Sequence, residues 1–273
     1  MITSMSNPRI KEVQQLLKKA KVRRESGLFV VEGVKMFREA PKGRIESVYA
    51  ASSFLQDGEN QGLLKSKGVT EENGKLQAVD DRVFKSLSDT VTPQGVLCLV
   101  KQEECSLEEI MTDDKSGCPP FLMVLEDLQD PGNLGTIVRT GEGAGVTGII
   151  LSKNCVDLYN PKVIRSTMGS VYRMKVCRVD SVAGILPKLH GCGVRSFAAH
   201  LRGERFYDEE DYGCGTAFLI GNEGNGLSDE TAEAAMELIK IPMAGQVESL
   251  NAAMAAGVLM YEVSRQRGTG RPR

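Results

Sequence analysis

The chain has no tryptophan, and only 5% of its 273 residues are aromatic. No platform of exposed rings for stacking single-stranded bases can therefore be named. Its two histidines, His190 and His200, have no carboxylate motif around them, which argues against a metal centre. No run of about 18 apolar residues occurs, so no membrane-spanning helix is expected. The seven cysteines, at 98, 105, 118, 155, 177, 192 and 214, form no C-x-x-C pair. Zinc-ribbon and thioredoxin-like sites are thereby excluded, and reduced, mostly buried thiols are expected. A G-x-x-x-x-G-K-[ST] phosphate loop is also missing. Glycines 141, 143 and 145 have a suggestive spacing, but they close a helix and precede a strand, whereas a dinucleotide fingerprint follows a strand and opens a helix. The amino-terminal Met1 to Lys21 carries Glu12 and lacks an apolar core segment, so it does not read as a secretory signal. A cytoplasmic protein is expected, or an organellar one in a eukaryotic source.

What is present is enough for two domains with cores: 29.7 kDa and 41% hydrophobic residues. The net charge of −2 hides an asymmetry, because Met1 to Arg44 holds eleven Lys or Arg against four Glu. Such a segment is either a solvated helix face or a footprint for phosphates. Ser6-Asn7-Pro8 starts a basic amphipathic helix with Ile10, Val13, Leu17 and Ala20 on one side. Strands are predicted at 28–31, 45–50, 76–79 and 95–101, with helices at 33–40, 54–67 (broken at Asp57-Gly58) and 80–88 between them. This alternation implies a small α/β/α domain over 1–103. An acidic, Gly- and Pro-containing linker follows at 104–118. A second alternation, 119–267, has strands at 121–125, 148–151, 173–179, 195–199, 217–220 and 239–241. Its helices are expected at 134–144, 161–169, 182–190, 228–238 and 250–263, and a disordered tail at 268–273. The fold expected here is an open, largely parallel sheet covered on both faces.

Three loops of this second domain follow strands and carry polar residues that turn chemistry does not require. In the first, Asn133 and Arg139 bracket the opening turns of a helix. The second, Gly221-Asn222-Glu223-Gly224-Asn225-Gly226, lines an edge with backbone and adds one carboxylate. The third runs from Ile241 through Pro242, which cannot donate to a strand ladder, to Glu248, Ser249, Leu250 and Asn251. Ser249 stands in an N-cap position before a helix rich in alanine, whose small side chains suit close packing on a neighbour or on a second copy. Loops of this kind, at carboxyl ends of strands, are where open α/β sheets place ligands.

Taken together, Asn133-x-Gly135-x-x-x-Arg139, Gly221-x-Glu223-Gly224-x-Gly226 and Ile241-Pro242-Met243-x-Gly245-x-x-x-Ser249-Leu250-Asn251 resemble, in order, the three motifs of the SpoU (TrmH) RNA 2′-O-ribose methyltransferases. The resemblance spans about Pro120 to Arg267. Phe29-x-Val31-Glu32-Gly33 and Pro93-Gln94-Gly95-Val96 are similar to that family's small amino-terminal substrate-binding domain. The resemblance implies a SPOUT-type α/β domain with a carboxyl-terminal trefoil knot, S-adenosylmethionine as methyl donor, RNA (rRNA or tRNA) as substrate, and a homodimer. It places Gly221, Ile241, Met243 and Leu250 at the cofactor, where backbone groups read the adenine edge and the apolar side chains flank its faces. It places Arg139 at the ribose 2′-hydroxyl. A guanidinium, with an ordinary pKa above about 12, is rarely free to accept a proton, so binding the adjacent phosphate and stabilising the developing alkoxide suit it better. Asn133 and Ser249 are expected to orient Arg139 or the ribose, Glu223 to anchor Arg139 or a neighbouring loop, and Asn251 to hold its loop. One departure stands out: Ala252-Ala253 follow Asn251, where the family often has Val-Ser. Two other readings stay open at this level, an RNA-binding protein of the same fold without catalysis and a small-molecule α/β enzyme.

Overall fold

The structure, a computed structural model, describes residues 1–88, 90–111 and 118–268. In chain order the elements are α1 (Pro8–Lys18), α2 (Ala20–Ser26), β1 (Leu28–Glu32), α3 (Val34–Glu39), β2 (Ile45–Ala51), α4 (Ser52–Leu55), α5 (Gly58–Ser66), β3 (Leu76–Val79), α6 (Asp81–Lys85), β4 (Val96–Lys101) and α7 (Leu107–Met111). They continue with β5 (Phe121–Leu125), α8 (Pro131–Ala144), β6 (Gly148–Ser152), α9 (Pro161–Thr167), β7 (Val176–Val179), α10 (Val182–Gly191), β8 (Val194–Ala199), β9 (Arg205–Phe206), β10 (Gly215–Ile220), α11 (Asp229–Ala234), β11 (Glu237–Lys240) and α12 (Ala252–Arg267). The chain divides into two compact units, Met1–Glu103 with Asp157–Tyr172, and Glu104–Val156 with Arg173–Arg273.

The first unit is built on a four-stranded sheet of order β1-β4-β2-β3, with β4 antiparallel to both neighbours and β2 parallel to β3. Asn7 caps α1 through its side chain, Pro8 takes the first helical position, and Ile10, Val13 and Leu16 face the core. The helix stops at Lys19, which is extended, so Leu17 and Ala20 are only half-buried. Arg23, 3% exposed, explains the break: its guanidinium donates to the carbonyls of Leu16 (2.5 Å) and Leu17 (3.3 Å) and pairs with Asp157 at 2.7 Å. Phe29 of β1 packs on Tyr159 (centroids 4.6 Å apart) and Tyr172 (6.5 Å). The Tyr172 hydroxyl donates to the Met36 carbonyl and the Tyr159 hydroxyl to that of Glu103. Residues 157–172, which the alternation in sequence groups with the second domain, thus supply part of this unit's core.

In the second unit seven strands, all parallel, lie in the order β7-β6-β5-β10-β8-β11-β9. Uninterrupted apolar runs such as Phe-Leu-Met-Val-Leu in β5 are what a sheet buried on both faces requires. On one face Leu122, Val124, Ile150, Ala217 and Leu219 meet Leu186 and Leu189 of α10 and Ile110 of α7. On the other, Phe121, Phe218, Phe197 and Tyr212 form a chain of ring contacts between 5.0 and 6.3 Å. There α12 packs on α8 and β10, burying Ala253, Ala256, Leu259, Met260 and Val263, so its small residues have an internal partner. Its last turn is tied down by Gln266, which bonds to Tyr212 and Glu210, and by Arg267, which donates to the carbonyls of Pro119 and Tyr212.

The carboxyl-terminal third differs from expectation in three places. The helix expected at 228–238 is cut short: α11 ends at Ala234, Ala235 is extended, and β11 begins at Glu237, earlier than the expected strand at 239–241. The two-residue strand β9 has too little length to show as a period in sequence. The last helix starts at Ala252 and is capped by Asn251, whose Oδ1 accepts from the amides of Ala253 and Met254; Ser249 is not its cap. β11 lies between β8 and β9, with Ile239 in register with both Ala199 and Arg205, so residues 200–204 cross its face. Gly203 is needed there, since a Cβ would sit 2.7 Å from the carbonyl carbon of Ile239. The thiols also depart from expectation: Cys98, Cys155 and Cys177 are buried, but Cys118, Cys192 and Cys214 are exposed on loops beside strands. Among the described residues no helix is long and apolar enough to cross a membrane, and no cluster of three His, Cys, Asp or Glu could hold a metal ion. Part of the expected linker, 112–117, and nearly all of the expected tail, 269–273, lie outside the described residues.

Removing one partner of a buried ion pair strands the other charge. Asp157→Ala, which leaves Arg23 unpaired, should therefore lower stability by about 3–5 kcal/mol, read as a shift in urea midpoint.

Candidate active site

All seven strands are parallel, so their carboxyl ends share one edge of the sheet, and the loops after β5, β10, β8 and β11 lie there side by side. The loop after β5 ends at Asp130, whose side chain caps α8 by accepting from the Asn133 amide at 2.8 Å, with Pro131 at the first helical position. That cap fixes Asn133, 9% exposed, at the helix entrance. Its Nδ2 donates to Glu223 Oε1 (3.0 Å) and its Oδ1 accepts from Asn251 Nδ2 (3.0 Å). One amide so joins the loops after β5, β10 and β11.

Glu223 also accepts from the backbone amides of Gln129 (3.0 Å) and Asp130 (2.9 Å). Burial works against its ionisation, but the Asn133 amide and these two backbone amides outweigh it and hold the carboxyl below its ordinary value of 4.5. Asn222 orders the same loop, accepting from the Gly224 and Asn225 amides and donating to the Asp127 carbonyl. Gly221 closes it: a Cβ there would lie 2.1 Å from the Gly226 carbonyl carbon, so the loop folds back on its own backbone.

The structure brings Asn133, Glu223 and Asn251 together and does not bring Arg139 to them. Arg139 lies six residues along α8 from Asn133, on the exposed side, with no hydrogen bond or ion pair to any described residue. Of the two roles expected for Glu223, anchoring Arg139 or a neighbouring loop, the structure shows the second, and Asn133 makes no bond to Arg139. Ser249 is exposed. Ile241 and Met243 are half-buried and Leu250 is 36% exposed, so the loop after β11 presents apolar side chains at the edge.

Sequence reading missed three contributors. Glu126 accepts from the Ser228 amide and hydroxyl (2.7 and 3.0 Å) and from the Thr231 hydroxyl (2.5 Å), tying β5 to the start of α11. Asn222 could have been found from its Asn-x-Gly spacing, a side-chain-to-backbone turn signal. His200, at the end of β8, had no signal; burial and Arg202 push it below its ordinary value, and its Nδ1 accepts from the Arg202 amide.

An all-parallel sheet whose carboxyl edge carries a backbone-lined loop, apolar side chains and an unengaged arginine has the arrangement at which open α/β proteins bind ligands. The chain belongs to the SpoU rRNA Methylase family, which residues 120–261 match, while residues 7–98 match the MRM3-like substrate binding domain. It is 33% identical to an uncharacterized tRNA/rRNA methyltransferase of Synechocystis, over 97% of this chain and 94% of that one. It is 31% identical to a 23S rRNA uridine 2′-O-methyltransferase of Streptomyces viridochromogenes, over 97% of this chain and 92% of that one. Among solved structures, the AdoMet-bound rRNA methyltransferase of Sinorhizobium meliloti superposes with a TM-score of 0.83 at 30% identity, covering 97% of each chain.

The lowered Glu223 value carries a sign. A depressed folded-state value means the carboxylate's contribution is fully present above the unfolded value and is lost as pH falls through the folded one. The protection factors of the Gln129 and Asp130 amides, exchange relative to an unfolded chain at the same pH, should therefore hold from neutral pH down through the ordinary carboxylate value and fall below it, while Glu223→Gln should remove that pH dependence.

Proposed function

We infer that the protein transfers a methyl group from S-adenosylmethionine to a ribose 2′-hydroxyl of structured RNA, rRNA or tRNA. The observation that carries this reading is the meeting of the three motif loops through Asn133, Glu223 and Asn251, with Arg139 exposed farther along α8 and without a partner among the described residues.

The edge fits the cofactor. The Gly221 loop leaves room only for backbone, which suits reading an adenine edge, and the uncovered side chains of Ile241, Met243 and Leu250 suit its faces. When bound, S-adenosylmethionine supplies an electrophilic methyl on sulfonium. Transfer from it needs in-line approach and little acid chemistry, so positioning supplies most of the rate. Arg139 would bind the phosphate beside the target ribose and stabilise the negative charge at the 2′-oxygen as that oxygen takes the methyl and releases its proton to water, the sulfur leaving as a neutral thioether. Ser249, at the same entrance, donates to the ribose. Asn133, Glu223 and Asn251 act one step back, holding the loops.

In this reading residues 1–103, completed by 157–172, form the RNA-binding domain, 104–118 the linker and the remainder of 119–267 the catalytic domain. The crossing of 200–204 over β11 supports a chain threaded into a trefoil knot, a rare topology. Met254 and Tyr261, 61% and 57% exposed on α12, support a homodimer formed through that helix.

Arg139→Ala should bind S-adenosylmethionine with an unchanged dissociation constant and lose about a hundredfold or more in methyl transfer to total RNA from cells lacking the protein. Normal turnover would sink the assignment, and lost cofactor binding would give Arg139 a structural role. If 1–44 contacts phosphates, RNA affinity should fall steeply with salt; a flat response returns that segment to a solvated face.

A further inference from the structure

Asp127 sits in the left-handed region, with φ of 54°, a conformation that costs a residue with a side chain and persists only where its surroundings enforce it. Its surroundings are three loops. On the β6 side its backbone amide donates to Ser152 Oγ (2.8 Å), its Oδ1 accepts from the same hydroxyl (2.6 Å) and its Oδ2 accepts from Asn154 Nδ2 (3.1 Å). On the β10 side its carbonyl accepts from Asn222 Nδ2 (2.8 Å), and within its own loop from Gln129 Nε2 (3.1 Å). Asn222 in turn orders the glycine-rich loop, and the amide of Gln129 is one of the donors to Glu223.

We propose that Asp127 is a positioning residue for methyl transfer: its strained backbone and its carboxylate set the height of the loop after β5 between its two neighbours, and so place Glu223, Asn133 and the helix that presents Arg139. A turn alone would need only the left-handed backbone, for which glycine is the better residue. The carboxylate is what fastens that turn to Ser152 and Asn154. This inference rests on the site reading given above.

Asp127→Asn, Asp127→Gly, Asp127→Ala and Arg139→Ala, each in the full chain, are compared in three measurements. These are tritium transfer from S-adenosylmethionine to total RNA from cells lacking the protein, S-adenosylmethionine affinity by calorimetry, and thermal unfolding. Asparagine tolerates the left-handed region and keeps an acceptor for Ser152, so Asp127→Asn should stay within about twofold of the wild-type kcat, whereas Gly and Ala should lose about tenfold or more. KM for RNA and the unfolding temperature of Asp127→Gly should stay near wild type. Wild-type turnover in Asp127→Gly, with Arg139→Ala inactive, overturns the inference alone and leaves a plain turn. Equal losses in Asn, Gly and Ala that track a fall in unfolding temperature overturn it in favour of a folding role. Full turnover in Arg139→Ala removes the site reading, and this inference with it.

Discussion

A single side-chain amide holds the site together. Asn133 donates to Glu223, 90 residues away, and accepts from Asn251, 118 residues away. Both partners are also bonded to backbone, since Glu223 collects the amides of Gln129 and Asp130 and Asn251 caps α12. Exchanging Glu223 or Asn251 for an apolar residue would leave a polar atom of the buried Asn133 without its partner, and an orphaned buried group costs more than the bond contributes when made. The bonds are modest individually, yet they are shared, so the three loops form one cooperative unit and do not act as three independent flaps.

The organisation of the parallel sheet was legible because buried strands are written as apolar runs. Phe121 to Leu125 and Gly148 to Leu151 could be read almost to the residue, as could the helix start at Asn7, where a short polar side chain precedes proline; the same signal at Asp130-Pro131 went unread, and α8 begins three residues before the expected 134. The start of α12 could not, because Ser249 and Asn251 are both good caps and only the tertiary bond to Asn133 decides between them. The stretch 228–238 misled for a related reason. Its alanines and glutamates favour a helix, and pairing with β8 and β9 overrides that preference from Glu237 onward.

At the site, sequence supplied the residues but not their grouping. Motif order singled out Asn133, Arg139, Glu223, Ser249 and Asn251, with Asn251 expected to hold its loop and Glu223 to anchor Arg139 or a neighbouring loop, but did not show that Asn133 bonds to both. The structure separates these residues into a hydrogen-bonded framework, in which the buried Asn133 joins the exposed Glu223 and Asn251, and two further exposed groups, Arg139 and Ser249, left without that framework's bonds. Six residues along a helix turn a side chain to another face, which a motif written as a line does not show. The left-handed turn at Asp127 left no mark in sequence either, because aspartate is ordinary in loops of every conformation.

The chain leaves the first unit at Glu103, returns for residues 157–172 and leaves again. Tyr159 and Tyr172 of that returning stretch pack on Phe29, and Asp157 neutralises Arg23. The unit's amino-terminal part is therefore not a detachable cassette. A chimera that exchanged residues 1–103 for those of a relative with another RNA preference would inherit a mismatched set of aromatic and ionic partners. The first unit can be exchanged between such proteins intact only by moving both stretches together.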